Sequence, residues 1–310
     1  MSARQDAQRK RSHQRLIPLP DGDTIFARYL PGKPGAIPLV LHDGLGCDGY
    51  IWRSLVQWFH KRHPIVHWQY RGHGKSSVPH DIRSLTLTEV IGDLEIVLDE
   101  FDIDRAVHLG HSMGVQIALE AYRHISERIA GLVLMCGSFE YPIRSWHASP
   151  YKDGPISPSN LAMRASFEKL TSAMINSGQV SQTFWSFLLA LPAAYQVATR
   201  TEVNGQRLAF RDFGPYMKHL SHMDCRVFAQ FARLLANHSA ADLLPNIKEP
   251  TLIVGAGRDS FTPVWQSLEM HDKIPQSELL LLDDGTHSAP LEFTTDVNQC
   301  IQRFLVENYC

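Results

Sequence analysis

The chain lacks any run approaching the roughly 18 consecutive apolar residues that a membrane-crossing helix needs. It also lacks an excess of either charge. Thirty Lys and Arg face 32 Asp and Glu, for a net charge of −2, which leaves no electrostatic footprint for nucleic acid. Its five cysteines (47, 136, 225, 300, 310) show no C-x-x-C, no metal-type spacing and no paired framework. They read as free thiols in a reducing compartment, with Cys136 packed in a core strand as a small hydrophobe. No stretch has the full glycine spacing of a phosphate-binding loop: Gly74-Lys75-Ser76 has Gln69 where that loop needs its first glycine. No internal repeat or low-complexity tract is present. Arg4, Arg9, Lys10, Arg11 and Arg15 are not followed by the apolar core of a secretory signal, so residues 1–15 are expected to form a solvated basic tail. These absences predict a cytoplasmic protein with no cofactor, no metal, no nucleic-acid partner and no membrane span; oligomeric state stays open.

What the chain has is alternation. At 310 residues and 44% hydrophobic composition it suits one large α/β domain, or a core with a lid. Short apolar runs at 25–29, 39–42, 65–68, 106–109 and 132–136 read as strands. Helical patterns lie between them, the strongest at 87–101, where Leu87, Val90, Ile91, Leu94, Val97, Leu98 and Phe101 share one face. Strands 251–255 and 279–282 follow late in the chain. This order predicts a mostly parallel sheet with helices on both faces, and functional loops at the carboxyl ends of its strands. Between Cys136 and Thr251 the strand pattern lapses. Helical patterns near 160–177, 180–191, 214–220 and 224–237 predict an inserted helical cap over 139–243, entered through a hinge at 141–158. The core would then comprise 16–138 and 244–310. The cap is rich in Phe167, Phe184, Trp185, Phe187, Tyr195, Phe210, Phe213, Tyr216, Met217 and Phe228, most of which are expected to pack the cap on the core. A few should line an apolar slot.

Gly110-His111-Ser112-Met113-Gly114 joins the 106–109 strand to a helical pattern at 115–123. A serine flanked by glycines two residues either side, between strand and helix, is the pattern of a nucleophile held at a tight turn. Its hydroxyl needs a base, because it barely ionises near neutral pH. Of 16 histidines, His287 alone follows the last predicted strand. Asp259 follows the 251–255 strand and is the expected orienting acid, with Glu140, after the 132–136 strand, as the runner-up. Asp283 and Asp284 read as turn residues beside Gly285. The glycine-containing turn after the 39–42 strand, Asp43-Gly44-Leu45-Gly46, could add backbone N–H groups to that of Met113 around a developing oxyanion. His73, in Arg71-Gly72-His73-Gly74, reads as part of a structural turn.

Taken together, residues 39–46, Tyr70-Arg71-Gly72-His73-Gly74-Lys75-Ser76, 110–114, 255–263 and 285–290 resemble the α/β-hydrolase fold, specifically its lidded, single-domain serine hydrolases. Trp52 also fits. The resemblance covers about 25–138 and 245–308, and the segment between matches only in position and size. It implies Ser112 as nucleophile, His287 as base and Asp259 as its orienter. It implies Met113 and either Asp43 or Gly44 as backbone oxyanion donors. The chain departs from the usual His-Gly at His42-Asp43, and a carboxylate there would oppose an oxyanion unless it points away. The implied activity is cofactor-independent hydrolysis of a small or medium, largely apolar ester or related acyl substrate. Lactone, thioester, amide and carbon–carbon cleavage also fit. The alternative is a ligand-binding regulator or receptor on the same scaffold.

Overall fold

The computed structural model describes residues 14–142, 158–190, 196, 203–208 and 210–310. Among these, eight strands form one sheet: β1 (Gln14–Pro18), β2 (Thr24–Leu30), β3 (Leu39–His42), β4 (Ile65–Trp68), β5 (Ala106–His111), β6 (Ile129–Met135), β7 (Thr251–Ala256) and β8 (Ser277–Leu282). Their order is β1-β2-β4-β3-β5-β6-β7-β8. The β1–β2 and β2–β4 pairs are antiparallel, and all others are parallel. Every residue of β3, β5, β6 and β7 is buried, which explains why these strands read as continuous apolar runs rather than alternating ones.

The helices are α1 (Arg53–Phe59), α2 (Leu87–Glu100), α3 (Met113–Ile125), α4 (Pro158–Ser177), α5 (Gln179–Ala190), α6 (Phe210–His222), α7 (Cys225–Asn237), α8 (Val264–Lys273), α9 (Ala289–Glu292) and α10 (Thr294–Tyr309). Strand periodicity sorts their partners. Val40 faces a core shared with α2, α3 and α8, while its neighbours Leu39 and Leu41 face one shared with α1 and α10. Local chemistry sets the ends. Thr86 and Glu89 form a reciprocal capping box at the start of α2, with Thr86 Oγ1 accepting the Glu89 amide at 3.2 Å and Glu89 Oε2 accepting the Thr86 amide at 2.7 Å.

Helices α6 and α7 lie on the loop at the carboxyl end of β3. Gly46 there has φ +69°, a conformation that favours glycine, and the Leu220 side chain of α6 packs where its Cβ would stand, with Cδ1 at 2.6 Å. Trp185 ties α5 to α6 by donating from Nε1 to the Leu220 carbonyl at 2.9 Å.

Several expectations need correction. Strand β1 begins at Gln14, inside the expected tail, and residues 1–13 lie outside the described set. As an edge strand with only Ile17 buried, β1 has almost no hydrophobic period to read. Helix α10 was not expected. Phe184 and Phe187, two of the cap aromatics of which most were expected to pack inward, are 66% and 63% exposed. The hinge residues 143–157, and Tyr195, lie outside the described residues. No described helix is long and apolar enough to cross a membrane, and the five cysteines form no disulfide.

Candidate active site

Ser112 links β5 to α3 with φ 56° and ψ −118°, a left-handed conformation that costs a non-glycine residue about 1–3 kcal/mol. The flanking glycines follow from close approach. A Cβ on Gly114 would stand 2.0 Å from the His42 carbonyl oxygen and 3.0 Å from that of Asp43. A Cβ on Gly110 would stand 2.3 Å from the Gly114 carbonyl oxygen. The first turn of α3 is therefore wedged against the end of β3, and its N-terminal amides, Met113 first among them, lack intrahelical acceptors.

Three separated loops meet at the serine. His287, between β8 and α9, places Nε2 2.8 Å from Ser112 Oγ. Its Nδ1 lies 2.8 Å from Asp259 Oδ2. Asp259, after β7, has a fully buried carboxylate. The amides of Phe261 and Thr262 each donate to Oδ1 at 2.9 Å, and the Thr262 hydroxyl donates to Oδ2 at 2.7 Å. With the imidazole, these donors compensate the cost of taking a carboxylate out of water. Glu140 is elsewhere: its Oε2 accepts from Ser239 Oγ at 3.1 Å. Asp283 is exposed, and Asp284 pairs with Arg258 at 2.7 Å.

The carboxylate of Asp43 points away from Ser112. Trp52 Nε1 donates to its Oδ1 at 2.7 Å and His67 Nε2 meets its Oδ2 at 2.8 Å. Tyr70 donates its hydroxyl to the Asp43 backbone carbonyl at 3.0 Å. Because that peptide is trans, the Gly44 N–H points opposite to the carbonyl held by Tyr70. A Cβ on Gly44 would stand 3.2 Å from Ser112 Cβ, so this turn lies directly beside the serine. His73 braces it from behind. Its Nε2 accepts the Gly46 amide at 3.2 Å and its Nδ1 donates to the Arg71 carbonyl at 3.2 Å. Burial holds the His73 ring down at about 4, which keeps it in the neutral form that this pair of bonds requires.

Two further residues fix the His287 loop. Glu292 accepts from the Thr286 amide at 2.9 Å, the Thr286 hydroxyl at 2.6 Å and the Asn204 amide at 2.7 Å. His111 Nε2 donates to the His287 carbonyl at 2.8 Å. Sequence reasoning missed Thr262, Glu292 and His111 in these roles. The Asp259-x-x-Thr262 spacing of a side-chain-capped turn was a usable signal for the first. The other two act across long sequence separations and left none.

A cavity of about 370 Å³ opens at Ser112. Gly44, Met113 and His287 line one side, and Phe167, Tyr216 and Phe228 of α4, α6 and α7 line the other. Among the described residues, no group of three or more His, Cys, Asp or Glu could hold a metal ion.

Comparison with known proteins agrees with this architecture. Residues 37–167 match a family model described as alpha/beta hydrolase fold, and residues 212–309 match one described as TAP-like protein. A protein of Azorhizobium caulinodans named putative carbamate hydrolase RutD is 24% identical over 254 residues, covering 81% of this chain and 84% of the relative. Among solved structures, a hydrolase from Pseudomonas aeruginosa superposes with a TM-score of 0.73 at 20% identity, covering 95% of this chain and 99% of that one. An enol-lactonase from Burkholderia xenovorans superposes with a TM-score of 0.70 at 19% identity, covering 92% and 97%.

Proposed function

The chain is an α/β-hydrolase-fold hydrolase, and from that premise we propose that it is a cofactor-independent serine hydrolase working through an acyl-enzyme on Ser112. The observation that carries this reading is the continuous chain Ser112 Oγ, His287 Nε2, His287 Nδ1 and Asp259 Oδ2, with 2.8 Å at each contact between side chains. His287 takes the Ser112 proton as Oγ attacks an acyl carbon, then delivers it to the leaving group. A water activated by the same nitrogen releases the acyl group. Asp259 keeps the proton on Nδ1, so that Nε2 is the basic face.

The developing oxyanion is received by the Met113 and Gly44 amides. Gly44 is favoured over Asp43 because Tyr70 fixes the direction of its peptide and its Cα lies beside the serine. Each such donor contributes about 3–4 kcal/mol to transition-state stabilisation. With its carboxylate held by Trp52 and His67, Asp43 does not oppose that charge. Helices α4 to α7 act as a cap whose aromatic inner wall selects a small or medium, largely apolar substrate. The names carbamate hydrolase and enol-lactonase, borne by the similar proteins, both denote hydrolysis at an acyl carbon and agree with this chemistry.

The test pairs fluorophosphonate labelling and peptide mapping with Ser112→Ala, assayed on short phenyl esters. Labelling of the peptide holding Ser112 is expected, with a loss of at least about 10³-fold in kcat for the variant. Undiminished turnover by Ser112→Ala would remove this serine from the chemistry.

A further inference from the structure

One polar side chain in the wall of the cavity at Ser112 is locked in a single orientation, and the acyl-enzyme scheme gives it no role. Gln116 lines the cavity, is 2% exposed and follows Ser112 by four residues in α3. That spacing is one helical turn, roughly 6 Å along the axis. Its Nε2 stands 3.2 Å from the Leu235 carbonyl oxygen. A carbonyl oxygen only accepts, so the atom facing it is the amide nitrogen. The second amide hydrogen meets His238 Nδ1 at 3.1 Å. Nδ1 presents a lone pair there because Nε2 of the same ring donates to Glu120 Oε2 at 3.0 Å. Burial raises the Glu120 carboxyl, but the bond from His238 and the Arg123 charge outweigh it and hold the group at about 2. It is therefore a carboxylate that only accepts.

Both amide hydrogens of Gln116 are thus engaged, and Oε1 is turned away from them with no donor among the described residues. The described side-chain atoms sealed from solvent without a partner are His108 Nε2, His111 Nδ1, Trp265 Nε1 and Asn298 Nδ2. Gln116 Oε1 is not one of them, and the space its residue borders is the cavity. Around it that wall is apolar, formed by Phe228, Ala232 and Leu235. A substrate that displaces water from this wall must bring a donor or leave the oxygen unpaired. A hydroxyl meets that demand at least cost. An ammonium would bring an uncompensated charge, and an amide N–H would bring a carbonyl that needs a donor of its own. The faces of the sheet decide which part of the substrate arrives there. Phe231 and Leu235 of α7 belong to the core shared with α3, whereas Ala289 and Leu291, after His287, belong to the opposite core. The leaving oxygen must face His287 to receive its proton, so the acyl chain is the part that extends toward Gln116.

We propose that Gln116 determines specificity by accepting a hydrogen bond from a hydroxyl on the acyl chain, so that 3-hydroxyacyl esters are preferred over isosteres that carry a methyl in its place. This rests on the Ser112 acyl-enzyme reading. A hydroxyl on the third carbon, with a hydrogen bond of about 2.8 Å beyond it, spans a distance comparable to the one turn between Ser112 and Gln116. Hydroxyl and methyl are similar in size, but only the first satisfies Oε1, and a site built around such a bond discriminates against the analogue that lacks it. Gln116 takes no part in bond cleavage.

The experiment compares kcat/KM for each enantiomer of phenyl 3-hydroxybutanoate with that for phenyl 3-methylbutanoate. Dividing each value by the rate constant for hydrolysis of the same ester by hydroxide removes the difference in intrinsic reactivity. In the wild type the better hydroxy enantiomer should be preferred by about tenfold or more. Gln116→Met and Gln116→Leu keep the bulk of the side chain and remove the acceptor, and in each the preference should fall about tenfold. Stoichiometric fluorophosphonate labelling of Ser112 confirms that a variant is folded, and the wild-type comparison decides alone should neither label. Equal or reversed preference in the labelled wild type, or a preference that survives in a labelled variant, overturns the assignment while leaving the serine mechanism standing. Failure of Ser112 to label, with turnover surviving Ser112→Ala, overturns the serine mechanism and this assignment with it.

Discussion

Adding one methyl group at Gly114 and the same group at Gly92 should move stability in opposite directions. At Gly114 the new Cβ would meet the His42 carbonyl oxygen at 2.0 Å. A tolerable contact needs roughly 1.2 Å more, and the obstructing atoms are backbone rather than the tip of a flexible side chain. That backbone is also pinned. Trp68 donates to His42 Nδ1 at 3.2 Å, and Tyr70 donates to the Asp43 carbonyl at 3.0 Å. Moving the end of β3 therefore strains buried hydrogen bonds as well as packing, and Gly114→Ala should cost about 3 kcal/mol. Gly92 sits within α2 with no outside heavy atom within 4 Å of its would-be Cβ. There alanine removes only the entropy penalty of glycine, and Gly92→Ala should stabilise by about 0.5–1 kcal/mol. Urea unfolding of the two variants against wild type reads the difference, about 4 kcal/mol between identical chemical changes. The same displacement moves the Asp43–Gly44 turn from Ser112 and should lower kcat/KM about 10²-fold. If Gly114→Ala unfolds within about 0.5 kcal/mol of wild type, the wedge between α3 and β3 does not exist as described.

Other consequences can be measured in the same way. Burial holds His73 and His111 at about 4 and His108 at about 3, with His42 also well below its ordinary 6.5. Unfolding releases these rings to bind protons near pH 6.5, so stability is full above that pH and falls as the solution is acidified toward pH 4. Each fully depressed histidine adds a slope of about 1.4 kcal/mol per pH unit. Urea titrations at pH 7, 6 and 5 should show more than one histidine's worth of slope, and a flat profile would contradict their burial in neutral form. Glu292→Ala removes the carboxylate that accepts from the Thr286 amide and hydroxyl and the Asn204 amide. It should cost about 2–4 kcal/mol and speed hydrogen exchange at the Thr286 amide. Unaltered exchange there would show that Glu292 does not hold the His287 loop.

The sheet was legible wherever burial on both faces made a strand uniformly apolar, as in β3, β5, β6 and β7. It was illegible at β1, where a single buried residue in five gives no period. The Ser112 turn was legible because the serine and both glycines stand within five consecutive residues, although the contact that requires Gly114 is with the distant end of β3. The neighbours of Asp43 were not. Nothing in the sequence ties residue 43 to Trp52, His67 and Tyr70 at once, and that clamp turns an apparent electrostatic obstacle into a structural brace.

The sequence alone marked which segments become buried strands and where a strained serine can sit, since both leave a pattern in consecutive residues. Tertiary structure alone decided that loops near residues 43, 112, 259 and 287 share one rim, and that Asp259 rather than Glu140 faces the imidazole. It also decided which aromatic residues of α4 to α7 reach the cavity. Those outcomes depend on hydrogen bonds and close contacts formed across tens to hundreds of residues, whose partners become neighbours only when the sheet has assembled.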